Sequence, residues 1–279
     1  MKFGLVFSGG MAKGAYQIGA YRALEKFLPP DSIGGISAAS IGSLNAYACA
    51  SGNLHLAERI WSELTIHSPR DFLRRIVRSS FLEDTIASVV SPKDTLFCPL
   101  YIACYNLDQR CLAYINLQAL SCEQRRQYLL ASVSLPKFSK PVIIDEHRFC
   151  DGAIVDNVPL EPLLNTELDA LLVVHFNSHL PLYENTSHPP ILSISLFNQE
   201  ISTKHFTCNR QTVAYMIEKG YQQTAHVLRV SQATDWTKCM PHFSHSGLSL
   251  RGDDLVLRMN RLLAPTVPHR TIHTDKASK

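Results

Sequence analysis

Apolar residues crowd the start of the chain, and Phe3 to Phe7 is a run of strand length. It meets two adjacent glycines, Gly9 and Gly10, and a helical pattern follows at once. Ile18, Tyr21, Leu24 and Leu28 recur three or four apart and mark one buried helix face. Residues 33–37 read as a second short strand. Small residues follow through Ala38, Ala39, Ser40 and Gly42, and then a second helix from about Ser43 to Ala50. Helical spacing returns from Leu54 to Leu64 around Trp61, and again over Ser68 to Arg78, where Pro69 is a good helix starter. In that last segment Phe72, Leu73, Ile76 and Val77 make one stripe, while Arg74, Arg75 and Arg78 lie off it.

The pattern then turns to strands. Leu100–Tyr105 and Cys111–Asn116 are expected to pair across 106–110. A helix is expected from Glu123 to Ser132, ended by Ser134-Leu135-Pro136. Residues 142–144 and 147–150 form a hairpin that turns at Asp145-Glu146 and delivers Asp151-Gly152 to a loop. Leu168 to Phe176 holds a continuous apolar run, the mark of a parallel strand covered on both faces. Ile191 to Phe197 alternates as a further strand after a proline-rich loop at 181–190. A long stripe from Gln211 to Val230 is helical, and a short helix is expected over Asp253 to Leu263. Prolines, histidines and charges fill Ala264 to Lys279, the composition of a frayed tail.

Strands alternating with helices predict an α/β fold of three layers, a mostly parallel central sheet between helices. No repeat or linker interrupts the pattern, so residues 1–263 are expected to form a single domain with a flexible tail over 264–279. In such a sheet chemistry gathers at the carboxyl ends of the strands. Gly9, Gly10, Ser40 and Asp151 all fall there.

Composition adds exclusions. The 279 residues are 46% hydrophobic and 18% charged, with a net charge of +3, enough to bury a core and too weakly basic to argue for nucleic acid. No apolar stretch approaches the ~18 residues of a membrane span. The first residues lack the basic start and apolar core of a signal peptide. A soluble, cytoplasmic protein is the expectation. Eight scattered cysteines form neither a Cys-x-x-Cys pair nor a Cys/His cluster, and read as small buried hydrophobes in a reducing compartment. The basic face at Arg74, Arg75 and Arg78 suits either an anionic membrane surface or plain solvent.

The candidate chemistry sits at two of the strand ends. A glycine pair between strand and helix turns bare backbone N–H groups toward whatever lies above the sheet, and the helix dipole adds positive potential. At Ser40 the small neighbours Ala38, Ala39 and Gly42 suit a strained strand-to-helix elbow with an exposed hydroxyl. A nucleophilic serine beside a nest of backbone donors is the minimum equipment for acyl transfer.

Three strings, taken in order, resemble a known family. Ser8-Gly9-Gly10-Met11-Ala12-Lys13-Gly14 is similar to the oxyanion loop of patatin-like phospholipases. Ala38-Ala39-Ser40-Ile41-Gly42-Ser43-Leu44-Asn45-Ala46 is similar to that family's nucleophile elbow. Cys150-Asp151-Gly152-Ala153, with Asp156-Asn157-Val158-Pro159, is similar to its Asp-Gly motif. There are two departures: Met11 stands where the loop has a third glycine, and Ala38 where the elbow has its first.

The resemblance implies a patatin-like fold and a serine acyl hydrolase that cleaves fatty-acyl esters of phospholipids or related lipids. Ser40 would attack the ester carbonyl and Asp151 take its proton. The amides around Gly9, Gly10 and Met11, with Lys13 and Gly14, would hold oxyanion and substrate, while Ala38, Gly42 and Gly152 support the turns. No metal or organic cofactor is implied, and the partners are an acyl lipid and peripherally a membrane surface. Two alternatives stay open. One is an α/β-hydrolase triad, for which His175 follows Asp151 in the required chain order. The other is a degenerate patatin fold, with Met11 and Ala38 altered, that binds lipid without hydrolysing it. Ser37 is a decoy, having a glycine before it and none two places after.

Overall fold

A computed structural model describes residues 1–72, 74, 80–164, 166–177, 189–196, 208–233 and 271–274. At its centre is β1 (Phe3–Phe7), buried along its whole length. Its side chains alternate between two cores: Phe3, Leu5 and Phe7 enter the larger, and Val6 the smaller. A strand apolar on both faces belongs in the middle of a parallel sheet. There β1 runs parallel to β2 (Ile33–Ala39) on one side and β7 (Ala170–His175) on the other.

The larger face carries α1 (Ala15–Phe27), α2 (Ile41–Ala50), α3 (Leu54–Glu63), the one-turn α4 (Pro69–Phe72), α5 (Phe81–Val89) and α6 (Cys122–Ser132). The opposite face is covered by Val158, Leu160 and Leu163, the last on the short α7 (Glu161–Leu164). The long α8 (Arg210–Ala233) packs along α1. The sheet is therefore mixed, mostly parallel and flanked by helices, as the pattern predicts.

β3 (Leu100–Asn106) decides where the site lies. β4 (Cys111–Asn116) pairs antiparallel with it from Tyr101 to Asn106 and fills one edge. The other edge is shared. β2 pairs parallel with Leu100–Ala103, and β6 (His147–Asp151), the second strand of the hairpin with β5 (Val142–Ile144), pairs antiparallel with Cys104–Asn106. β2 and β6 thus run toward each other along one edge and stop nose to nose. Ala39 faces Ala103, and Asp151 faces Cys104.

Some boundaries differ from the sequence reading. β2 continues to Ala39 and α2 begins at Ile41, so the elbow is the single residue Ser40. The helix α5 was not expected. Phe81, Leu82, Ile86 and Val89 give it an apolar side, and Glu83 and Asp84 supply acid in its first turn. Gly152 to Ile154 is a 3₁₀ turn instead of a loop. β8 (Ile191–Ser195) continues the parallel sheet beside β7. Within the expected tail, β9 (Thr271–Thr274) lies parallel to β4, on the edge that β3 leaves unpaired. Of the basic helix, Pro69–Phe72 and Arg74 are described, while Leu73, Arg75, Ile76, Val77 and Arg78 lie outside the described residues. So do the helix expected at 253–263 and most of the loop at 181–190.

Candidate active site

Ser40 occupies the turn between β2 and α2 at φ 53° and ψ −133°, left-handed backbone that a serine adopts only under constraint. The constraint comes from below. A Cβ on Gly42 would lie 2.7 Å from the carbonyl oxygen of Ser8 and 2.8 Å from that of Phe7, so only glycine lets α2 start this close to β1. Ala38 is buried and keeps a negative φ, a conformation that alanine adopts without strain.

Asp151 ends β6 and is fully buried. Its Oδ1 accepts a hydrogen bond from the Ala153 N–H at 2.9 Å, which caps the 3₁₀ turn. A Cβ on Gly152 would come within 2.5 Å of the Ala103 backbone, so this glycine allows the turn to lie against β3. Burial pushes the Asp151 carboxyl up to about 7, while the Ser40 hydroxyl and the Ala153 amide pull partly back. Oδ2 is buried and has no hydrogen-bond partner within 3.5 Å. The hydroxyl is thus near enough to act on the carboxylate without a formed bond, a spacing that substrate commonly tightens.

The loop after β1 lies beside this pair. Gly9 is enclosed by Ser40, Ala153 and Asn157, the last within 2.3 Å of where a Cβ would stand. Its N–H donates to the Asn157 carbonyl at 3.1 Å, and the Asn157 side-chain amide reaches the Gly9 carbonyl at 3.4 Å. The Gly9 amide is therefore engaged, contrary to the expectation that it points at the oxyanion. Asn157 forms this clamp, and its role was not read from the sequence. At Gly10 a Cβ would run into the Phe176 ring at 2.2 Å. Met11, where the family has glycine, sits at φ 52°. Lys13 lies over the same Phe176 ring, 5.0 Å from its centre. Gly14 packs where a Cβ would meet Trp61, Ile41 and Asn45.

A buried polar network holds the loop to the elbow helix. Gln17 Nε2 donates to the Ser8 carbonyl at 2.7 Å, and Asn45 Nδ2 to the Gly14 carbonyl and to Gln17 Oε1, both at 2.9 Å. Trp61 Nε1 donates to Asn45 Oδ1 at 3.1 Å. Carbonyls at both ends of the glycine loop are thus fixed, which sets how the peptides between them are turned. The one signal in the sequence was Gln17, a polar residue beside the apolar stripe of α1.

Beyond Ser40 opens an apolar cleft of about 820 Å³, counting the part open to solvent. Met11, Ile41, Leu44, Trp61, Phe72 and Phe81 are among its walls, and its polar lining is confined to Ser40, Asn45 and Thr85. Much of one wall is α5. Phe72 is buried, so α4 faces the cleft, and Arg74 pairs with Asp71 at 3.4 Å.

Other candidates lie elsewhere. Ser37 is buried within β2. His175 is buried on β7, with Nδ1 accepting from the Asn177 N–H at 3.2 Å and Nε2 2.8 Å from Ser193 Oγ. Both ring nitrogens are therefore committed away from Asp151. Cys49, Cys98, Cys104, Cys122, Cys150 and Cys208 are free thiols, and burial pushes the Cys150 thiol up to about 12. Among the described residues no cluster of His, Cys, Asp and Glu fits a metal, and no helix is long and apolar enough to cross a membrane.

A family model described as patatin-like phospholipase matches residues 5–164, more than half of the chain. Lysophospholipase NTE1 of Cryptococcus neoformans is 26% identical over an alignment covering 63% of this chain and 11% of that protein. The neuropathy target esterase sws of Drosophila melanogaster is 24% identical, with 63% and 13% covered. The chain therefore spans about a tenth of the length of these curated relatives. Among solved structures, VipD from Legionella pneumophila aligns with a TM-score of 0.46 at 13% identity, covering 82% of this chain and 67% of that one. The ExoU–SpcU complex of Pseudomonas aeruginosa aligns at 0.45 and 16%, covering 82% and 51%.

Proposed function

The chain belongs to the patatin-like phospholipase family, and from that premise we propose that it is a serine acyl hydrolase cleaving fatty-acyl esters of phospholipids with Ser40 and Asp151 alone. The observation that carries the reading is the apolar cleft that opens onto Ser40, with the Asp151 carboxylate buried beside the serine. An acyl chain lies in the cleft and brings its ester carbonyl to Ser40 Oγ. Asp151 takes the hydroxyl proton as Oγ attacks, and returns it to the departing alcohol. Water then enters by the same route and attacks the acyl carbonyl, losing a proton to Asp151, which passes it to Ser40 Oγ as the fatty acid leaves.

The tetrahedral oxyanion needs donors that the protein leaves unused. With Gly9 engaged by Asn157, the amides of Gly10 and Met11 take that role, the latter turned by its positive φ. Lys13 adds positive potential at the mouth of the loop. The commitments of His175 to Asn177 and Ser193 favour this dyad over a triad. The substrate comes from a lipid surface met by the cleft mouth and Arg74, and the free thiols of Cys49, Cys98, Cys104, Cys122, Cys150 and Cys208 favour a reducing, cytoplasmic setting.

The experiment is hydrolysis of mixed phospholipid vesicles, with released fatty acids and lysophospholipids followed by mass spectrometry. Release that disappears in Ser40→Ala supports the reading. No release from any phospholipid or lysophospholipid, by protein that folds cooperatively, would overturn it.

A further inference from the structure

The cleft has a second room beside it. A smaller apolar space of about 200 Å³, counting the part open to solvent, adjoins it and is lined by Tyr47, Ile86, Val90 and Leu129. Leu44 on α2 and Thr85 and Val89 on α5 line both spaces and stand between them. Thr85 and Val89 are four residues apart on one helix, so they present one face to the same partition. The Tyr47 hydroxyl donates to Asp94 at 2.9 Å, which leaves the chamber little to offer a water molecule.

Protein interiors pack at close to crystal density, and an unfilled apolar void costs stability. Here a loosely filled apolar space borders the cleft assigned to a hydrocarbon chain, and three side chains are shared between the two. We infer that Leu44, Thr85 and Val89 set the length of acyl chain the protein accepts. They stop the chain at the end of the outer cleft, and the inner chamber is the space a longer chain enters when they are cut back. This rests on the acyl-binding reading of the cleft and adds its specificity residues.

The test is binding, independent of catalysis. Saturated fatty acids of increasing length compete with a fluorescent fatty acid for the intact protein, below their micellar concentrations. Affinity should rise about fourfold per methylene while the chain is being buried, and then level off. In Leu44→Ala and Val89→Ala the levelling point should move to longer chains. In Ile60→Ala, which enlarges the outer cleft only, it should stay where it is. Thr85→Ala, a milder truncation, carries the test if the larger ones unfold. A levelling point that is unmoved in folded variants, or moved equally by Ile60→Ala, would overturn the partition, as would a wild type that binds none of the acids. A moved levelling point in a protein that hydrolyses no ester would refute the hydrolase reading and leave the partition standing. Hydrolysis with an unmoved point would do the reverse.

Discussion

Ala39 and Asp151 occupy successive rungs on one edge of β3, opposite Ala103 and Cys104. They arrive from opposite directions, one at the end of a parallel strand and the other at the end of an antiparallel one. Ser40, the next residue after Ala39, is thereby brought against a carboxylate more than a hundred positions away in sequence.

That meeting depends on Gly152. A methyl group there would sit 2.5 Å from the Ala103 carbonyl carbon and force the turn off β3. Gly152→Ala should lower kcat at least tenfold and cost about 1–3 kcal/mol of stability from overpacking. Steady-state kinetics with a soluble short-chain ester, alongside urea unfolding, measures both. Unchanged kcat would mean that Asp151 does not depend on this contact.

The pH dependence of rate and stability should run in opposite directions. With the Asp151 carboxyl near 7, kcat/KM rises as pH passes through about 7, because the base acts only when ionised. Its folded value lies above the ordinary 3.8, so the folded protein holds the proton more tightly than the unfolded chain. The resulting stabilisation is complete below about pH 3.8 and lost as pH rises through about 7. Asp151→Asn should therefore gain stability over the wild type between pH 5 and 8, by on the order of a few kcal/mol. Urea melts of both proteins at the two pH values check the sign.

The oxyanion loop yields a contrasting pair. Gly10→Val drives a branched side chain into Phe176 and should reduce turnover by about 10²–10³. Met11→Gly relieves the left-handed backbone and keeps the amide, so turnover should hold or rise while stability shifts by no more than about 1 kcal/mol. Parallel kinetics and melts of the two variants separate the cases.

Asn45 holds the loop through the Gly14 carbonyl and Gln17. Asn45→Leu should cost about 1–3 kcal/mol through partners left unsatisfied. It should also lower kcat more than it raises KM, because the donors lose their aim while the cleft stays apolar. A change in KM alone would make Asn45 a wall residue only.

Much of this was legible in the chain. The strand-glycine-helix order around Gly9 and Ser40 is local, and side-chain size alone marks an elbow. The Asp-Gly pair followed a readable hairpin. What escaped were relationships set by packing. That Gly9 gives its amide to Asn157 depends on where residue 157 lies in space, not on the glycine pattern. The helix α5, with acid at its start and a short apolar side, carried too few periodic positions to stand out between the basic segment and the next strand. The strand at Thr271–Thr274 has its reason on β4, whose outer edge needs partners that a reading of the last residues cannot supply.

The central claim is that Asp151 activates Ser40 without a histidine. A fluorophosphonate probe reacts only with an activated serine, and peptide mass mapping locates its adduct. The wild type and His175→Ala should each carry one adduct on Ser40, while Asp151→Asn, folded by near-ultraviolet circular dichroism, should carry none over the same exposure. An adduct on another residue, or a folded His175→Ala as unreactive as Ser40→Ala, would contradict the account.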